Sequence, residues 1–62
     1  MTIGQKIKEL RISKKLTQKD VADDAGISYQ HLSTLERGNF TPHVSTLLKI
    51  AKALNVPLKS LL

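Results

Sequence analysis

The sequence predicts an all-α fold, a compact domain of five short helices spanning residues 1–62. Three observations lead there. Aliphatic side chains recur at spacings of three and four along several stretches, the period that lines one face of a helix. Thr17 and Ser28 stand directly ahead of two of these stretches, where a hydroxyl can accept from the free N–H groups of a first turn. Gly26, Gly38 and Asn55 stand directly behind such stretches: Gly26 takes a left-handed conformation without steric cost, and Gly38 and Asn55 read as the ends of the helices before them.

The elements follow in order. Ile3, Ile7, Leu10 and Lys14 share a helical period, so a first helix with a narrow apolar stripe runs to near Lys15. Thr17 caps the second helix, with Asp20 in the place of a capping-box partner; the helix extends from Gln18 to about Ala25 and turns Val21, Ala22 and Ala25 inward. Gly26 ends it, Ile27 plugs the core, and Ser28 caps a third helix from Tyr29 to about Arg37. Leu32 and Leu35 face the core there, which leaves Tyr29, Gln30, Ser33, Thr34 and Arg37 on the opposite side. A loop from Asn39 to Pro42 leads to a fourth helix striped by Val44, Leu47, Leu48, Ala51 and Leu54. Asn55 breaks that helix, and Pro57, Leu58, Leu61 and Leu62 form a short fifth one, proline being tolerated in a first turn.

Composition narrows the function classes. With 62 residues the chain can build one small core, and having no cysteine and only two histidines, His31 and His43, it has neither disulfides nor the ligands for a zinc site. No apolar run reaches the roughly 18 residues of a membrane span, and no signal-peptide segment is visible, so a cytoplasmic protein is expected. The net charge of +5 favours an anionic partner such as nucleic acid. Its distribution is uneven: Lys6, Lys8, Arg11, Lys14 and Lys15 face only Glu9 in the first quarter, whereas Lys19 is outnumbered by Asp20, Asp23 and Asp24. A solvated surface would account for the same charges.

Two helices joined by a tight glycine turn are compatible with a plain helical hairpin. The run from Leu16 to Gly38, LTQKDVADDAGISYQHLSTLERG, resembles more than that. It is similar to the helix-turn-helix of the Cro and phage-repressor family, also called the xenobiotic-response-element family of bacterial regulators, with the motif at about residues 17–37. Upstream, IGQKIKELR from Ile3 looks like the family's first helix, and downstream Pro42 with TLLKIAKAL from Thr46 looks like its fourth. The resemblance thus covers nearly the whole chain, with Gln18, Ala22, Gly26, Ser28, Glu36, Arg37 and Gly38 in register. It implies a lambda-repressor-like fold and a non-enzymatic regulator of transcription without cofactor or metal. That regulator binds double-stranded DNA on a pseudo-palindromic operator as a homodimer.

The same resemblance assigns roles that residue chemistry can meet. Small residues at Ala22 and Gly26 keep the second and third helices close, so the third can project into a major groove about 12 Å wide. Tyr29, Gln30, Ser33 and Thr34 are the expected base contacts: glutamine pairs bidentately with adenine, hydroxyls bond several base edges, and a threonine methyl meets that of thymine. Phosphate contacts are expected from Gln18, Ser28, Arg37, Asn39, Thr41 and Lys15, where helix N-terminal N–H groups, polar side chains and cations meet the backbone. Lys14 and Lys19 would add electrostatic attraction, and Ser28 serves equally well as a simple cap. Arg11 and Glu36 occupy positions that the family pairs in a salt bridge between its first and third helices. Phe40 and Pro57 depart from the family pattern, which commonly has a polar or basic loop residue and a Ser or Thr cap there.

One alternative belongs to a different class. A protein-interaction module, such as an antitoxin or adaptor built on the same fold, would use Phe40 and the C-terminal leucines against another protein. Salt separates the two, since neutralised phosphates give a steep dependence and an apolar interface a shallow one. An enzyme is disfavoured because no carboxylate pair, metal cluster or nucleophile–base set stands out. RNA binding usually shows aromatic platforms, and Tyr29 and Phe40 are the only aromatic rings of this kind here.

Overall fold

Capping by nearby side chains starts each of the first three helices. In the computed structural model, which describes residues 2–38 and 42–62, these are α1 (Ile3–Ser13), α2 (Gln18–Ala25) and α3 (Tyr29–Glu36), followed by α4 (Val44–Leu54). Thr2 and Gln5 form a capping box on α1 that the sequence reading overlooked, each satisfying the other's backbone N–H. Thr17 and Asp20 form the expected box on α2, at 2.9 and 3.0 Å. The Ser28 hydroxyl accepts from the His31 N–H at 3.0 Å and caps α3.

Three helix ends close in one way. Lys15, Gly26 and Asn55 all have φ near +60°, at 60°, 71° and 58°, and the residue after each donates its N–H to a carbonyl five positions back. This is the Schellman closure, and the following residues, Leu16, Ile27 and Val56, are the apolar ones such a closure folds back onto the core. It explains why α1 ends at Ser13 rather than near Lys15: the chain reverses at Lys15 to reach the Thr17 cap. A second correction concerns the expected fifth helix. Leu58–Leu61 is a single 3-10 turn, because Pro57 at its cap position supplies no side-chain bond and four residues cannot establish an α-helical ladder. All described residues with regular structure are therefore in four α-helices and this turn.

The core gathers Ile7 of α1, Val21, Ala22 and Ala25 of α2, Leu32 and Leu35 of α3, Leu47, Ile50, Ala51 and Leu54 of α4, and Leu61. The buried stripe of α4 is rotated from the expected one: Ile50 is fully buried, whereas Val44 and Leu48 are 62% and 51% exposed. Positions 47, 50, 51 and 54 follow the three-and-four period of one helix face, and α4 packs that face on α2. Leu61 is also fully buried, so of the C-terminal leucines only Leu62 remains exposed to a partner and Leu58 is half-buried. The Leu62 carbonyl accepts from Lys6 Nζ, which ties the 3-10 turn to α1. No helix among the described residues is long and apolar enough to cross a membrane, and no group of three or more potential ligand side chains among them could hold a metal ion.

Gly4 decides how α1 meets α3. A Cβ there would overlap the Leu35 carbonyl oxygen and stand 3.0 Å from its carbonyl carbon and 3.2 Å from Glu36 Cα. Only a residue without a side chain lets the start of α1 approach the backbone of α3 so closely.

Asp20 supplies a pH-dependent element. Its bonds to the Thr17 backbone N–H and hydroxyl, with some help from Lys19, hold the carboxyl below its ordinary value of 3.8. A depressed folded-state value adds stability above the unfolded value and loses it as pH falls through the lowered one. Asp20→Asn is therefore expected to melt below the wild type at neutral pH, with the gap closing as the pH falls below 3.8. A gap that stays constant in thermal melts across this range would show that charge plays no part in the cap.

Candidate nucleic-acid interface

Burial divides α3 into two faces. Leu32, Leu35 and Glu36 point into the protein, while Tyr29 and Gln30 are exposed and Ser33 and Thr34 are half-buried. Tyr29 stands 52% exposed at the first helical position, far more than a tyrosine with a packing role needs. The four residues expected to meet bases thus lie together on one helix, and the helix's only acid, Glu36, is turned away from them.

Local bonds set what each side chain can offer. The Thr34 hydroxyl donates to the Gln30 carbonyl at 2.9 Å, so Thr34 presents an acceptor oxygen and a methyl group. Ser28 uses its oxygen as an acceptor in the cap and keeps its hydroxyl hydrogen as a donor. Arg37 folds back along α3 at 3.4 Å from both the Ser33 carbonyl and hydroxyl, contacts long enough to yield easily to a stronger anionic partner. Lys15 is exposed in its left-handed position after α1, and Lys19 lies 3.3 Å from Asp23 in a solvent-exposed pair worth a few tenths of a kcal/mol, roughly. Asn39 and Thr41, together with Phe40, lie outside the described residues.

Behind α3 is a charged network. Arg11 grips Glu36 with two parallel bonds, Nε to Oε2 at 2.7 Å and Nη2 to Oε1 at 3.0 Å, and its Nη1 donates to the Leu16 carbonyl at 2.9 Å. The side chains of Arg11 and Glu36 are only 12% and 3% exposed, so the pair is largely desolvated and its bidentate geometry matters. Gln18, expected to face a phosphate, directs its amide inward: Nε2 donates to Glu36 Oε1 at 3.0 Å. No buried side-chain polar atom among the described residues lacks a partner.

Sequence reasoning placed Arg11 and Glu36 side by side only through the family resemblance, and it missed both the Gln18–Glu36 bond and the role of Gly4. Periodicity carries no sign of the former, because the two residues are 18 positions apart on different helices. A glycine within the first turn of an otherwise good helix was a usable sign of the latter, since glycine there is locally unfavourable.

Known proteins share the sequence pattern and the fold. A family model described as Helix-turn-helix, HTH_3, matches residues 7–61. The immunity repressor protein of Bacillus phage phi105 is 39% identical over 61 residues, covering 98% of this chain and 42% of the repressor. An uncharacterized HTH-type transcriptional regulator of Sinorhizobium fredii, y4dJ, is 46% identical over 54 residues, covering 87% of this chain and 70% of that protein. The chain therefore spans less than half of the phage repressor and about two thirds of the second relative. Among solved structures, the restriction-modification controller protein C.AhdI from Aeromonas hydrophila superposes with a TM-score of 0.93 at 32% identity, over 97% of this chain and 91% of that one.

Proposed function

This chain belongs to the helix-turn-helix family of DNA-binding transcriptional regulators of the Cro and phage-repressor type, and from that membership we propose that it reads double-stranded DNA with α3 in the major groove. The observation that carries the proposal is the two-faced burial of α3, which exposes Tyr29 and Gln30 beside Ser33 and Thr34 and hides the one carboxylate of the helix. Gln30 offers both a donor and an acceptor, the pair needed to hold adenine through N6 and N7. Thr34 adds an acceptor and a methyl group, Ser33 a hydroxyl, and Tyr29 a ring edge with a phenolic hydroxyl.

In this reading phosphates fix the register and base edges select the sequence. Ser28 at the start of α3 and Gln18 at the start of α2 lie where helix N-termini favour anions, Lys15 and Arg37 add charge, and Asn39 and Thr41 belong to the same proposed backbone contact. We take residues 1–62 as one DNA-binding unit acting as a homodimer, each copy placing α3 in a half-site of a pseudo-palindromic operator about 10 to 10.5 base pairs from the other. It would act in the cytoplasm, as a regulator of transcription rather than an enzyme.

The test is selection of sites from a random DNA pool at two salt concentrations, with wild type and Gln30→Ala in parallel. The wild type is expected to return a two-fold motif, and Gln30→Ala the same motif relaxed at one position per half-site, with a loss of about 1–3 kcal/mol at the preferred base. Weak binding without any motif, falling steeply with salt and indifferent to the substitution, would remove sequence-specific reading by α3.

A further inference from the structure

We propose that Gln18 is a positioning residue that closes the open end of the helix-turn-helix and so sets the angle at which α3 is presented. The inference builds on the groove-reading role of α3. Helices α2 and α3 are joined at one end by the turn through Gly26, Ile27 and Ser28. A short turn of that kind fixes where the helices meet but leaves the angle between them to whatever holds their far ends. Those far ends are Gln18, the first residue of α2, and Glu36, the last of α3, and they are bonded directly, Nε2 to Oε1, at 3.0 Å. The two helices and this bond form a closed triangle, with the turn at one vertex.

The third side is stiff because its acceptor is immobilised. Both oxygens of the Glu36 carboxylate are held by the Arg11 guanidinium, which is itself anchored on the Leu16 carbonyl two residues before Gln18. The Glu36 side chain is only 3% exposed, so water is a poor substitute for the Gln18 amide there. Gln18 is thereby the point where α2 takes hold of the far end of α3. Its second amide hydrogen stays available to donate to a phosphate, so the bond to Glu36 would also orient Gln18 for the backbone while it aims α3 at the bases.

A phosphate contact and a positioning role predict different losses. Removing a backbone contact weakens binding to all sequences about equally, whereas releasing the angle of α3 weakens only binding that depends on base contacts. Gln18→Ala is expected to lower the ratio of affinities for the selected site and random DNA about tenfold or more, the effect of losing one hydrogen bond to a charged group, over and above the loss that a missing phosphate contact imposes on both DNAs alike. An equal loss on both DNAs would overturn the proposal in favour of a plain phosphate contact.

A second readout needs no DNA. Residual dipolar couplings of the free protein are expected to show α3 reoriented relative to α2 in Gln18→Ala, with α1, α2 and α4 keeping their mutual orientation. An unchanged angle between α2 and α3 would overturn the proposal even if DNA binding fell. Gln18→Met, of similar length but without the donor, serves the same two measurements if the alanine variant does not fold. Failure of the wild type to select any motif would count against groove reading itself, while the couplings would still decide the role of Gln18.

Discussion

Gly4→Ala is expected to destabilise the fold by about 3 kcal/mol or more, lowering the thermal midpoint by roughly 12–24 °C. The sign is opposite to the usual one. In an exposed helix, glycine to alanine stabilises by about 0.5–1 kcal/mol because it removes backbone freedom from the unfolded chain. At Gly4 the added methyl would overlap the Leu35 carbonyl oxygen, and the obstacle is main chain rather than the end of a flexible side chain. Relief requires α1 and α3 to separate, which pulls on Ile7, Leu32 and Leu35, all essentially without exposure to water. Because the contact is at Leu35 and Glu36, the separation would also displace the end of α3 held by Arg11 and Gln18. Calorimetry on the purified variant measures the effect, and a midpoint equal to or above the wild type would mean that α1 does not sit against α3 in this way.

The second large effect is expected at Glu36. Glu36→Ala should cost about 3–5 kcal/mol in urea unfolding, because it leaves a guanidinium with 12% side-chain exposure without its counter-charge and removes the acceptor of Gln18. Most of that loss comes from the stranded cation, not from a large net value of the pair. The double variant Arg11→Met with Glu36→Leu should therefore recover much of the stability, as apolar replacements of buried ion pairs often do. If it is as unstable as Glu36→Ala, the penalty lies in packing and not in desolvated charge. The double variant also separates stability from function: it retains a folded core but has no anchor for Gln18, so it should read DNA less selectively than its stability suggests.

These two sites show how unevenly the molecule was legible beforehand. The boundaries of α2 and the start of α3 came directly from Thr17, Asp20, Gly26 and Ser28, and all four perform the expected local task. The separation of α3 into an inner pair of leucines and an outer polar face was equally clear. The orientation of α4 was less so, because Val44, Leu47, Leu48, Ile50, Ala51 and Leu54 cover more of the helix than one buried face requires. Pro57 concealed the outcome at the C-terminal end, where a turn of 3-10 helix delivers Leu61 to the core without a fifth α-helix.

The amino-acid sequence by itself determined what is decided within a turn or so of chain: the caps, the helix ends at Gly26 and Asn55, the composition of the face that α3 offers, and the family to which the run from Leu16 to Gly38 points. Only the tertiary structure decided which distant groups share one space. Gly4 meets the backbone of Leu35, Gln18 turns its amide to Glu36 instead of outward, and Ile50 displaces Val44 and Leu48 from the core. The reason is range. A cap or a closing turn is satisfied by atoms three to five residues away, so its residues announce it, whereas the angle between two helices depends on how all four pack at once, and no single stretch of sequence contains that information.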